Sequence, residues 1–382
     1  LMSRTPTCFL LTLVFPCAGC ESLQAVSFDD IVRFRPSDAT WALSHNPGLP
    51  DLYATPPAFA PITSGPIPFG VPNSSDTPML GDVNGDGFSD IVILRPSGNN
   101  FQWFALASAD ANNDGAGEIG GGAFSNIGAF GLVAGSEGNL LADINGDSID
   151  DVVTINAGFN WSSLNSTPAG LGGGAFSGPI PFGAAGDQPF AGDFDGDGQA
   201  DIGIYRPNTG DLFTLTTGPG GALGGGAVIN SGPVGGLGAS DSVRVADFNG
   251  DGFDDMVLIR QDGAGTIEWF KLINDTSGNL IITPPFVDFG VDNGSDIPFL
   301  ADIDGDGFDD LGFTRNGFEH FALLSGGGLE QWNYGLTGDV HLFGTFNSGQ
   351  SQQVPEPASI AIWSLIGFGL AGFSYYRVGR KK

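Results

Sequence analysis

The feature that most constrains the fold of this sequence is a nine-residue acidic segment that occurs five times. Each copy has Asp at positions 1, 5 and 9, Asp or Asn at position 3, and Gly at position 4. The copies begin at residues 82, 143, 193, 247 and 302, so successive starts lie 61, 50, 54 and 55 residues apart. A recurring unit of this length is typical of solenoids, propellers and other repeat architectures.

Each acidic segment is followed by short runs with β-strand composition. An apolar run comes first, as in 91–94, and an aromatic-rich run comes next, as in 101–104. A glycine-rich turn and a Phe-Gly segment such as Phe182-Gly183 then lead to an Asp-x-Pro pattern, as at Asp76. Three units carry Arg-Pro after the apolar run, at Arg35, Arg95 and Arg206. Four short strands fit into each unit, which indicates one propeller blade.

The two ends of the repeat region complement each other. Residues 28–36 match the part of a unit that follows an acidic segment, and residues 334–347 match the part that precedes one. Together they make one unit, which lets a ring close without leaving an open sheet edge. We therefore predict an all-β fold, a six-bladed β-propeller over residues 28–349. A seven-bladed ring is the alternative, if the long unit 82–142 hides an extra half-blade.

The acidic segments have the composition of calcium-binding loops. Calcium takes six to eight oxygen ligands, and carboxylates or amides at positions 1, 3, 5 and 9 of a tight loop converge on one ion. Magnesium fits less well because it prefers a smaller octahedron, and no soft ligand suits zinc. An EF-hand is excluded, since it needs Glu at position 12 and flanking helices, whereas position 12 here lies in a β-patterned run.

The predicted ligands number four in each loop. They are Asp82, Asn84, Asp86 and Asp90; Asp143, Asn145, Asp147 and Asp151; Asp193, Asp195, Asp197 and Asp201; Asp247, Asn249, Asp251 and Asp255; and Asp302, Asp304, Asp306 and Asp310.

The charge of the chain supports this prediction. The loops carry 20 of the 43 acidic residues, and such packing is repulsive without a cation. We expect about five structural Ca²⁺ ions, with the second site weakest because Ser148 replaces the glycine at position 6. The split sixth unit is expected to hold no ion. The formal net charge of −30 argues against nucleic-acid binding.

These loops, together with their Phe-Gly and Arg-Pro neighbours, resemble the FG-GAP/VCBS repeat family, which is related to the propeller head of integrin α chains. The resemblance runs from about residue 28 to residue 349. It implies the propeller fold and its calcium loops, but not integrin-like ligand binding.

The termini are predicted to be targeting segments. Residues 1–25 have the basic start, apolar run and small residues of a signal peptide. Residues 17–20 are similar to a lipoprotein box, which leaves lipidation at Cys20 open. All three cysteines lie in the first twenty residues, so the repeats contain no disulfide framework.

At the other end, a Pro-Glu-Pro linker at 350–359 precedes an apolar span at 360–376 and a basic tail at 377–382. The span is long enough for a transmembrane helix, and its basic tail should stay in the cytoplasm. This order resembles the PEP-CTERM sorting signal of Gram-negative bacteria. The resemblance implies an exosortase-type transpeptidase as partner, with membrane anchoring or release to the cell surface or a biofilm matrix.

No motif of the sequence indicates catalysis, and we predict neither catalytic nor organic cofactor-binding residues. The leading hypothesis is a surface or extracellular-matrix module that binds polysaccharide or another surface protein. The alternative is an extracellular glycan hydrolase or lyase on a propeller scaffold. Five tryptophans are predicted to recur on the second strand after the loops, either as blade packing or as a ring of sugar-stacking platforms: Trp41, Trp103, Trp161, Trp269 and Trp332.

Overall fold

The structure is a computed structural model that describes residues 29–45, 64–110, 117–234 and 241–345, except residues 262, 264 and 293. The predicted signal peptide, linker, transmembrane span and tail lie outside these residues. Within the described part of the chain, no helix is long and apolar enough to cross a bilayer.

The described residues form 24 β-strands in six four-stranded antiparallel sheets. Blades 1 to 5 each contain four consecutive strands, and blade 6 joins the last strand to the first three. Blade 1 contains β4 (Thr77–Gly81), β5 (Asp90–Ser97), β6 (Asn100–Leu106) and β7 (Phe124–Leu132). Blade 2 contains β8 (Gly138–Ala142), β9 (Asp151–Asn156), β10 (Asn160–Leu164) and β11 (Phe176–Pro181). Blade 3 contains β12 (Gln188–Gly192), β13 (Asp201–Arg206), β14 (Asp211–Leu215) and β15 (Val228–Pro233).

The remaining blades follow the same order. Blade 4 contains β16 (Asp241–Ala246), β17 (Asp255–Arg260), β18 (Thr266–Asn274) and β19 (Leu280–Val291). Blade 5 contains β20 (Asp296–Ala301), β21 (Asp310–Arg315), β22 (Glu319–Leu323) and β23 (Leu329–Asn333). Blade 6 contains β24 (Val340–Thr345), β1 (Asp29–Arg35), β2 (Thr40–Ser44) and β3 (Ser64–Pro68).

The first strands of neighbouring blades contact one another. β4 lies against β8, β8 against β12, β12 against β16, and β24 against both β20 and β4. The sheets are therefore arranged around a central axis with these strands innermost. The described residues make a six-bladed propeller, and the predicted six units are confirmed. The seven-bladed alternative is wrong, because the extra residues of the long unit belong to the β6–β7 connection, where Ile119 is buried.

The ring closes as the split unit predicts. β24 pairs antiparallel with β1, with Asp29 opposite Thr345 and Phe34 opposite Val340. The last strand of the described chain therefore completes the sheet of the first three strands, and the ring closes without an unpaired strand.

The hydrophobic core lies between the blades. Each of the six buried clusters combines side chains from two neighbouring blades, as where Trp161 of blade 2 packs with Ile202 of blade 3. A blade thus buries both faces of its sheet against its neighbours. This explains the nearly continuous apolar runs of the second strands, since both faces of those strands are covered.

Candidate metal centre

The five acidic segments form five similar loops at one end of the blades. Each loop connects the first strand of a blade to the second, and its position 9 is the first residue of that second strand. We number the loops 1 to 5 after their blades. The twenty predicted ligands occupy equivalent positions of the five loops. Among the described residues, three carboxylates converge in loop 3 and three in loop 5; Asp201 and Asp306 lie outside these two groups.

The Asp at position 1 organises the turn. One of its oxygens accepts a hydrogen bond from the amide at position 4, with distances of 2.6–2.7 Å in the five loops. Its other oxygen accepts one from the amide at position 6, at 2.6–3.3 Å. In loops 1 to 4 the first oxygen also accepts a bond from the amide at position 3 or 5, at 3.1–3.3 Å. A carboxylate oxygen has two lone pairs, so the second oxygen keeps one for a cation.

The Asp at position 9 fastens the loop to its blade. Asp90 is fully buried, and its two oxygens accept hydrogen bonds from the amides of Val83 and Ser108. The equivalent Asp residues of loops 2 to 5 are also fully buried and accept the same two bonds, at 2.6–3.2 Å.

The position-9 carboxylates are held in an environment that disfavours negative charge. Burial, with the nearby loop carboxylates adding to it, raises the pKa of Asp90 to about 8. The same causes raise the pKa of Asp151, Asp201 and Asp310 to about 7 and that of Asp255 to about 6. No described basic side chain forms an ion pair with these five groups. A bound cation would restore the charged form.

The oxygen positions fit a single ion in two loops most clearly. Carboxylate oxygens of Asp193, Asp195 and Asp197 lie within 4.8 Å of one another, as do those of Asp302, Asp304 and Asp310. Two ligands at about 2.4 Å from a calcium ion are at most about 4.8 Å apart. In addition, Oδ1 of Asp195 is buried without a hydrogen-bond partner. Loops 1, 2 and 4 have Asn at position 3 and therefore one carboxylate fewer.

Loop 2 keeps the common shape despite its substitution. Ser148 adopts φ +62°, close to the +81° to +85° of the glycines at the same position in the other loops. Its amide also makes the same hydrogen bond to the position-1 Asp, Asp143. The backbone is thus in a region that L-residues rarely occupy. The weaker affinity of this loop stays a prediction.

Neighbouring loops are hydrogen-bonded to each other. The amide at position 8 of one loop donates to the carbonyl at position 1 of the preceding loop, as from Asp150 to Asp82 at 2.7 Å. The same bond joins loops 2 and 3, 3 and 4, 4 and 5, and loop 5 to Asp29 of blade 6. Where position 8 is Asp, its carboxylate also accepts the position-1 amide, as in Asp254 with Asp193 at 2.6 Å.

In blade 6 the described residue equivalent to position 9 is paired with a histidine. Asp30, at the equivalent of position 9, is fully buried, and one of its oxygens lies 3.0 Å from Nδ1 of His45. This pair occupies the end of the blade where the other five have their loops. The expectation that blade 6 holds no ion stays a prediction.

The opposite end of the blades carries a second set of carboxylates that sequence analysis missed. In five blades an Arg at the end of the second strand makes two hydrogen bonds of 2.6–3.0 Å to an Asp at the start of the first strand. The pairs are Arg95–Asp76, Arg206–Asp187, Arg260–Asp241, Arg315–Asp296 and Arg35–Asp339. The signal was present, because Asp and Arg lie 19 residues apart in four of these blades.

In three of these pairs the pKa of the Asp is lowered, in contrast to the raised pKa of the position-9 carboxylates. Burial disfavours the charged form of Asp76, but hydrogen bonds from Arg95 and the Val71 amide outweigh it, so the pKa of Asp76 lies below its usual value. The pKa values of Asp296 and Asp339 are lowered in the same way.

The tryptophans are packing residues. Trp41, Trp103, Trp161 and Trp269 lie on the third strand of their blades, are 0% exposed, and donate from Nε1 to a backbone carbonyl. They cannot stack on a sugar, so the alternative of a sugar-binding ring is wrong. The placement of Trp332 is also wrong, since it lies on outermost strand β23 and stacks on His320, which takes the Trp position in blade 5.

Comparisons with known proteins support the fold alone. No protein-family model matches the chain, and no curated protein matches its sequence. Among solved structures, it is similar to a lectin of Agrocybe aegerita described as recognising non-reducing terminal N-acetylglucosamine. The TM-score is 0.55 at 17% identity, over 85% of this chain and 97% of the lectin. A DUF4784 family protein from Bacteroides caccae gives a TM-score of 0.41 at 9% identity, covering 82% and 74% of the two chains, which is too distant to carry an argument.

Proposed function

We propose that this protein is an exported calcium-binding β-propeller that acts as a binding or structural module at the cell surface or in the extracellular matrix. The observation that carries the proposal is the repetition of one oxygen-rich loop, with the same hydrogen bonds, at the same end of five blades. Repetition at equivalent positions fits a structural role, since a catalytic site needs one unrepeated set of groups.

Calcium is the ion that these loops suit best. The side chains at positions 1, 3, 5 and 9 offer only oxygen, and the unpartnered Oδ1 of Asp195 supplies a ready ligand. We assign about five ions to the twenty residues named above. Because binding to the folded state alone stabilises it, the ions would contribute directly to folding.

The sequence of the termini supports export. We propose that a signal peptide directs the chain across the inner membrane and that an exosortase-type transpeptidase acts at the Pro-Glu-Pro segment. The apolar span would anchor the protein in the membrane before this processing. Extracellular calcium would then fill the loops after export.

A polysaccharide is the partner we favour. The structural similarity to a lectin supports a propeller that binds sugar, at the level of the scaffold. The acid pairs Asp254–Asp255 and Asp309–Asp310 do not call for hydrolase chemistry, because position 8 bonds to the preceding loop and position 9 holds its own loop. We therefore propose a non-enzymatic role.

Equilibrium dialysis with radioactive calcium tests the metal assignment. The expected result is about five ions per chain, retained in the presence of excess magnesium. A stoichiometry near zero, or full displacement by equimolar magnesium, would contradict it. The binding role is tested by incubating oligosaccharides with the calcium-loaded protein: retention without cleavage supports it, and release of shorter products supports the hydrolase alternative.

A further inference from the structure

A cavity of about 210 Å³ lies between blades 1 and 2, next to loop 1. Asn84 and Asp86 of loop 1 form one side. Ala105 and Ala107 of blade 1 contribute methyl groups, and residues 168–170 of blade 2 form the opposite wall. The cavity is partly open to solvent, so a ligand could enter it without a change in the ring.

On the face that lines the cavity, blade 1 has small side chains where blade 4 has long ones. Ala105 lies opposite Val92, and at the equivalent place in blade 4 Lys271 lies opposite Val257. The Lys271 ammonium is 4.2 Å from the ring centre of Phe248, the residue equivalent to Val83 in the floor of the cavity. Blade 4 thus covers with a long side chain the surface that blade 1 leaves open.

The next residue on the same face repeats the difference. Two positions beyond Ala105 is Ala107, whereas the equivalent residues are Ile273 in blade 4 and Leu324 in blade 5. Ile273 packs into the core between blades 4 and 5, and Leu324 packs into the core between blades 5 and 6.

The chemistry of the walls selects the ligand. Among the described residues that line the cavity there is no Lys, Arg, His or aromatic side chain. Even with the proposed Ca²⁺ in loop 1, the carboxylates of Asp82, Asp86 and Asp90 leave that loop with a net charge of −1, so an anion would find no net positive charge there. A planar aromatic ring would find no stacking partner. What the walls offer is alanine methyl groups beside the Asn84 amide, the Asp86 carboxylate and the Ser125 hydroxyl.

This combination suits a neutral sugar. A pyranose ring presents C–H faces to methyl groups and hydroxyls to amide, carboxylate and hydroxyl partners. The volume is below the ~300–1,000 Å³ of sites for drug-sized ligands, so it suits one ring and not a long segment.

We propose that the cavity between blades 1 and 2 binds a single neutral glycosyl residue of a polysaccharide. The inference rests on the proposed binding function and assigns it to one place in the ring. Asn84 and Asp86 would contact the sugar with the polar atoms that do not ligate calcium, Ser125 adds its hydroxyl, and the alanines provide the space.

The test fills the cavity with a side chain that the protein already uses elsewhere. Ala107→Ile copies blade 4 and leaves loop 1 unchanged. The wild type, loaded with calcium, is first screened on an array of neutral and acidic oligosaccharides, and the best neutral ligand is titrated by calorimetry. We expect Ala107→Ile to weaken binding at least tenfold, with unchanged calcium stoichiometry and circular dichroism.

A second variant and a control keep the test decisive. Ala123→Leu narrows the cavity from an exposed position and serves if Ala107→Ile does not fold. Thr214→Val changes the position equivalent to Ala105 in blade 3 and should bind as the wild type does. Wild-type affinity in Ala107→Ile or in Ala123→Leu would overturn the inference. Binding of acidic glycans alone, or of none, would also overturn it, and a calcium stoichiometry near five would then leave the metal assignment standing.

Discussion

The two ends of each blade handle buried carboxylates in opposite ways. At one end, Asp76 and its equivalents are matched by an arginine of the same blade, which lowers the pKa of Asp76. At the other end, Asp90 and its equivalents have no such partner, and burial raises the pKa of Asp90 to about 8. One end carries its own cation, whereas at the other end the cation would be the calcium ion proposed above. The Arg–Asp pair thus stabilises one end of the blade without any ligand, and the proposed calcium ion would stabilise the loop at the other end.

Of the changes that test this comparison, removal of calcium should have the largest effect on the stability of the protein. Each ion bound at a free concentration 100 times its Kd contributes about 2.7 kcal/mol to the free energy of unfolding. Five sites together should lower the thermal midpoint by tens of degrees on chelation, measured by calorimetry with and without EDTA. An unchanged midpoint would contradict a structural role for the loops, whereas the same titration with excess calcium restored should recover the original value.

The pH dependence of the chelated protein should come next in size. The pKa of the position-9 carboxylates is raised from 3.8 to about 6–8, so the stability they contribute is complete below pH 4 and is lost as the pH rises through 6 to 8. The pKa of Asp76 is lowered, so its contribution is present above pH 4 and is lost at more acidic pH. Thermal midpoints of the chelated protein should therefore fall between pH 5 and pH 8.

Calcium provides the control for that pH series. With calcium bound, the carboxylates are held in their charged form, and the fall between pH 5 and pH 8 should disappear. If the chelated protein became more stable between pH 5 and pH 8, the raised pKa of the position-9 carboxylates would be contradicted.

Breaking one arginine pair should have an intermediate effect. Arg95→Gln leaves the fully buried Asp76 carboxylate without its cation, which should cost about 2–3 kcal/mol, less than for a fully buried pair because Arg95 is 27% exposed. The loss should be the same with and without calcium. Urea denaturation measures it, and the double variant Arg95→Gln/Asp76→Asn should recover part of the loss. A loss that depended on calcium would mean that the two ends are coupled.

The smallest effect is expected in loop 2. Ser148→Gly removes an L-residue from φ +62° and should stabilise the protein by about 1 kcal/mol while tightening the second calcium site. The reverse change in loop 3, Gly198→Ser, should have the opposite sign. Calcium titration of both variants measures the affinity, and equal affinities would remove Ser148 as the cause of a weak site.

The sequence predicted the repeated parts of the fold well, because repetition averages out local ambiguity. The loop positions and the closure of β24 on β1 follow from register alone. The pairing of Arg95 with Asp76 was missed, because the two were read as separate motifs and not as partners 19 residues apart.

Single departures from the repeat were harder to predict. Trp332 looks like the other tryptophans in composition, but His320 already occupies their position, and only strand pairing shows this. The cavity beside Ala105 could not be predicted from the sequence, because it depends on which residues of blade 2 lie across from the small side chains of blade 1.

The hydrogen bond from the position-8 amide of loops 2 to 5 to the preceding loop has a consequence for how the proposed calcium sites would fill. An ion that orders one loop fixes the carbonyl that the next loop uses, so the next site pays less of the ordering entropy when it is occupied. Occupancy should therefore spread from neighbour to neighbour, as in a one-dimensional lattice, and calcium titrations should be steeper than for independent sites. With the proposed calcium sites, the propeller would then switch between loose and rigid states over a narrow range of calcium concentration.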